Sequence, residues 1–97
     1  MSDVEVVHVG SASRDLTEDE PRGWRLGGGV TYAALATARL GIRTAAVVGL
    51  DRAAAAAPEL DVLREAGVAL RPIHLAEGPV FGNVELPTMN RFGTSQL

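Results

Sequence analysis

Apolar positions along the chain fall into short runs divided by glycines and polar turns. Val4-Glu5-Val6-Val7-His8-Val9-Gly10 is β-branched and ends at a glycine, which predicts a mostly buried strand. Ser11 to Asp15 reads as a small polar loop at that strand's end. Leu16 to Arg25 reads as a charged connection turning at Glu18-Asp19-Glu20-Pro21 and Arg22-Gly23. Gly27-Gly28-Gly29 then opens an Ala- and Leu-rich helix over Val30 to Leu40, with Gly41 placed to cap it. Arg43 to Gly49 is a second strand, with Asp51 just past its end. Ala53 to Ala57 favours helix, and Pro58 suits a first helical turn. Leu60, Leu63 and Ala66 share a helical face that Gly67 terminates. Val68 to Leu75 is a third strand and Val80 to Glu85 a shorter, half-polar one. Leu86 to Leu97 shows no periodicity and is expected to be an irregular tail.

Strands alternating with helices imply right-handed βαβ crossovers. The expected class is α/β: a Rossmann-like parallel sheet with helices on both faces. Ligands on such sheets sit at the carboxyl ends of the strands. Ser11 to Asp15, the glycine turn and Asp51 all fall at that end.

Composition narrows the function classes. The chain has 97 residues, so it holds one small domain, and a chain of this size buries only about 60–65% of its unfolded surface. The absence of cysteine excludes disulfides, thiolate metal sites and cysteine nucleophiles. A net charge of −3, with all nine basic residues arginine, gives nucleic-acid binding little support. No run approaches the roughly 20 apolar residues of a membrane span, and the acidic N-terminus is unlike a signal peptide. A cytoplasmic protein that binds neither nucleic acid nor membrane is the expectation.

The candidate chemistry lies in the glycines and a few polar side chains. Gly27-Gly28-Gly29 lets backbone approach a ligand closely at a helix start. A dinucleotide fingerprint is the rival reading, with Asp51 at the ribose position. It fails because Tyr32 stands where the third glycine belongs and because no apolar strand directly precedes Gly27. Asp15, just beyond a strand end, can accept two hydroxyl hydrogen bonds from a polyol. By residue type alone it reads first as a solvated loop aspartate. The Glu18-Asp19-Glu20 run reads as a solvated turn, and His8 and His74 as structural.

The ordered series is more specific than its parts. Gly10-Ser11-x-x-x-Asp15, then Gly27-Gly28 with Ala34 and Arg39-Leu40-Gly41, then Val48-Gly49-x-Asp51, resembles the opening of the ribokinase-like (PfkB) carbohydrate kinases. Leu63-Arg64-Glu65-Ala66-Gly67-Val68 matches the family's helix end before its next strand, and the resemblance covers residues 4 to about 85. It implies ATP-dependent phosphorylation of a sugar or nucleoside hydroxymethyl group, with Mg-ATP as donor in full-length relatives. Asp15 would hold substrate hydroxyls, Gly27 and Gly28 would line the pocket, and Ser13 would face it. Phe81 and Asn83 would belong to a small lid of short strands. Tyr32 stands where many sugar-binding members have asparagine. The family's Asp-Thr-x-Gly-Ala-Gly-Asp and Asn-x-x-Glu motifs do not occur.

Residues 1–97 are therefore expected to form a single incomplete domain, the substrate-side half of such a kinase, with no catalytic or metal-binding residue. Tight binding of a cofactor by this chain alone is not expected. A missing C-terminal half or a second copy are the expected protein partners, and a small sugar or nucleoside the ligand. The alternative is a non-catalytic sugar- or partner-binding remnant.

Overall fold

The computed structural model describes residues 3–82. Two sheets are built from six strands. β1 (Val6–Ser11), β4 (Thr44–Leu50) and β5 (Ala69–His74) form a parallel sheet in the order β1-β4-β5. β2 (Ser13–Leu16), β3 (Trp24–Gly27) and β6 (Val80–Gly82) form a second sheet in the order β3-β2-β6. In that smaller sheet β2 pairs antiparallel with β3 and parallel with β6. Only Ala12 separates β1 from β2, so one continuous stretch passes from the main sheet into the smaller one. Ala12 is buried, and its N–H donates to the Gly49 carbonyl at 2.9 Å.

Helix α1 (Gly29–Arg39) closes at Gly41, whose φ of +86° suits glycine as the reversing residue. The expected second helix is divided. α2 (Arg52–Ala55) is a single turn capped by Asp51, and α3 (Glu59–Glu65) begins after Pro58. Pro58 has no N–H to donate, so a new helix starts there at no cost in hydrogen bonds.

The α/β class is as expected, and among the described residues the helices lie on one face of the main sheet. α1 packs on β1 and β4, α3 packs on β5, and α1 and α3 touch each other. The strand order explains this. Right-handed crossovers that step from β1 to β4 to β5 in one direction put every helix on the same face. That face holds the core: Val30 and Ala34 of α1, Leu60 and Leu63 of α3, and Ala46, Val48 and Leu50 of β4. The opposite face leaves Val7, Val9 and Ile73 at 54%, 74% and 51% exposure.

Two further expectations are corrected. The Ser11–Asp15 loop is mostly strand β2, and the charged connection ends in strand β3. Both carry the polar residues of a half-exposed ribbon, so a search for apolar runs passes over them. Of the expected strand Val80 to Glu85, β6 is its first three residues. Asn83 and the tail from Leu86 lie outside the described residues.

Candidate functional site

The candidate site is built where the main sheet hands over to the smaller sheet. β2 carries Asp15 outward from the carboxyl end of β1, and β3 returns alongside it, pairing Asp15 with Arg25 and Ser13 with Gly27. Ser13 is buried at 2% exposure and donates its hydroxyl to Asp15 Oδ1 at 2.7 Å. Its hydroxyl is therefore engaged by the Asp15 carboxylate, which it orients. Asp15 Oδ2 lies over Gly27, where a methyl group would overlap it and sit 2.8 Å from Cγ. Gly28 has φ +103°, and a Cβ there would lie 2.7 Å from the Ser11 carbonyl oxygen. The two glycines thus allow the start of α1 to press against the β1–β2 junction and back the Asp15 carboxylate.

Asp15 and Tyr32 line one large open cleft of about 890 Å³, together with Leu16, Thr17, Gly82 and Arg25. Glu18, Asp19 and Glu20 line it too. The acidic turn is therefore part of the cleft rim and not simply a solvated surface. Arg25 spans it, 3.2 Å from Glu20 and 3.7 Å from Asp19. Carboxylates, a phenol and a guanidinium around an open cleft offer hydrogen bonds suited to a ligand rich in hydroxyl groups. Phe81 pairs with Asp15 across β2 and β6, is 58% exposed, and is not among the cleft's lining residues; its neighbour Gly82 is.

Asp51 has a different part. It is 5% exposed and caps α2 by accepting the Ala54 N–H at 2.8 Å. It also accepts Arg14 Nε of β2 at 2.9 Å and the Gly78 N–H at 3.3 Å. The Ala54 N–H and the Arg14 guanidinium hold its carboxyl below the usual aspartate value, against the effect of burial. With its oxygens so engaged, Asp51 is unavailable to a ribose. The dinucleotide reading is weakened by this, although one ground against it changes: strand β3 does directly precede Gly27. That strand belongs to the antiparallel ribbon, not to a parallel βαβ unit.

Sequence reasoning missed Glu59. The first residue of α3, it accepts the Leu26 N–H at 2.9 Å and pairs with Arg22, tying the helix to β3. No local pattern marks it, since it lies 33 residues from Leu26. Among the described residues, no group of three or more His, Asp or Glu converges as metal ligands. No helix there is long and apolar enough to cross a membrane.

No family model matches the sequence, and no curated protein does. Solved structures do match in fold. One is a pyrophosphate-dependent kinase in the ribokinase family, complexed with a pyrophosphate analog and myo-inositol; the TM-score is 0.64 at 22% identity, over 79% of this chain and 28% of that one. A second is a pyrophosphate-dependent myo-inositol-1 kinase converted into a myo-inositol-3 kinase by two substitutions, with TM-score 0.57, 19% identity, and coverage of 78% and 27%. A third is a sulfate complex of a pyrophosphate-dependent kinase in the ribokinase family, with TM-score 0.53, 19% identity, and coverage of 80% and 29%. The chain thus has a ribokinase-like fold and spans less than a third of the length of these neighbours.

Proposed function

We propose that this ribokinase-like chain forms the acceptor side of a carbohydrate kinase, the part that binds a sugar, nucleoside or cyclic polyol. The observation that carries the reading is the Asp15 carboxylate, oriented by Ser13, backed by Gly27 and set into the cleft beside Tyr32. An oriented carboxylate accepts two hydroxyl hydrogen bonds without first giving up its own order, which favours binding and alignment of the acceptor. The fold likeness to kinases, one of them bound to myo-inositol, supports the same reading.

Phosphoryl transfer needs a base for the acceptor hydroxyl and groups that stabilise the moving charge. The family's Asp-Thr-x-Gly-Ala-Gly-Asp motif, which would supply them, does not occur in these residues. The donor is Mg-ATP by family resemblance, while the structural neighbours are pyrophosphate-dependent kinases. The reading extends to a cytoplasmic setting and to a protein partner, either a C-terminal half or a second copy, that completes the fold. A non-catalytic sugar- or partner-binding remnant is the second reading.

Titration calorimetry with myo-inositol tests the acceptor site on the chain itself. Binding should weaken by about tenfold or more in Asp15→Asn, because charge-assisted hydrogen bonds are lost. Equal affinity in the two proteins would reject Asp15 as the acceptor-binding residue.

A further inference from the structure

Among the described residues β3 is the outer strand of the smaller sheet, and its outward N–H and C=O groups face no strand there. Two side chains take them up. Glu59 Oε2 accepts the Leu26 N–H at 2.9 Å, and Arg22 Nε donates to the Trp24 carbonyl at 2.6 Å. Arg22 and Glu59 are themselves joined as an ion pair. The Arg22 guanidinium also lies 3.9 Å from the centroid of the Trp24 ring, so it is held by stacking as well as by charge. An acceptor for one residue and a donor for the residue two before it is the pattern a neighbouring strand would present.

We propose that Glu59, acting with Arg22, is a positioning residue for the cleft: the pair takes the place of a fourth lid strand and fixes β3 against α3. The consequence for the cleft runs through register. Leu26 is next to Gly27, and Gly27 pairs with Ser13 and lies under Asp15 Oδ2. Movement of β3 away from α3 therefore moves the surface against which the Asp15 carboxylate rests. Burial pushes the Glu59 carboxyl up, but Arg22 and the Leu26 N–H outweigh it, so the group stays ionised and able to hold both partners. The proposal rests on the acceptor-site reading only for its effect on ligand binding, because the clamp itself is a property of the free chain.

The test is residue-resolved amide exchange on the free 97-residue chain, followed by titration with myo-inositol, for the parent, Glu59→Ala and Glu59→Gln. In Glu59→Ala the Leu26 amide loses its acceptor and should exchange about tenfold faster or more, with Gly27 following. Val47 and Val48 in β4 should keep their parent rates. Glu59→Gln retains an oxygen for the Leu26 N–H and should restore Leu26 protection to within about threefold of the parent. Affinity for myo-inositol should follow the Leu26 rates across the three proteins. Unchanged Leu26 exchange in Glu59→Ala would overturn the proposal. So would an equal acceleration of Leu26, Val47 and Val48, since that is the mark of general destabilisation. A parent chain that does not bind myo-inositol would reject the acceptor reading, and the exchange rates would still decide the clamp.

Discussion

Methyl groups added at two neighbouring glycines should have different effects. At Gly28 the new Cβ meets backbone, 2.7 Å from the Ser11 carbonyl oxygen, at φ +103°. Neither can yield, so Gly28→Ala should cost about 2 kcal/mol or more of stability, seen as a lower urea midpoint. At Gly27 the obstacle is the end of a side chain, Asp15, which can rotate away. Gly27→Ala should lose less stability than Gly28→Ala yet lose myo-inositol binding, because the carboxylate leaves its place. Equal losses in both urea midpoints would contradict this division. Gly27 and Gly28 stand out in the sequence as a glycine run that opens a helix, whereas Asp15 carries no local signal of its own and is singled out only through the family resemblance. Ser13 was legible only as a polar residue near the site. Its support of Asp15 depends on burial, which spacing does not encode.

Among the elements, the body strands and the helix ends at Gly41 and Gly67 could be read from pattern. The lid could not. β2 is Ser-Arg-Asp-Leu and β3 is Trp-Arg-Leu-Gly, and their third partner, β6, enters only at Val80. Short polar strands paired across such separations leave no periodic trace. Two ion pairs fasten this ribbon to the body, Arg14–Asp51 near β6 and Arg22–Glu59 beside β3. Both carboxyls are held below their ordinary values of 3.8 and 4.5. A carboxyl depressed on folding stabilises the native state above its unfolded value, and that contribution disappears as pH falls through the folded value. Urea midpoints should therefore hold steady near neutrality and decline below about pH 4.5. Asp51→Ala should cost about 3 kcal/mol at neutral pH, since it removes a helix cap and strands the Arg14 charge. Asp51→Asn should show a shallower acid decline than the parent, and an identical one would refute the assignment of that decline to Asp51.

At the scale of the whole molecule, the alternation of strand and helix was enough to predict a parallel sheet with a cleft at its carboxyl end. It was not enough to predict which faces are covered, because that depends on the direction in which successive strands are laid down. Here they are laid down one way, and among the described residues no helix covers the side of the sheet that carries Val7, Val9 and Ile73. Water bordering so apolar a surface makes contact between two such faces favourable, and β1 adds an edge strand free of proline and formal charge. The colloidal behaviour of the free chain follows: its sedimentation coefficient should rise with concentration. Replacing Val7 and Val9 by lysine should hold it at the single-chain value, while the cleft, built on the other sheet, is left unaltered. A parent chain sedimenting as one molecule at every concentration would show that the bare face is too small or too well hydrated to attract its like.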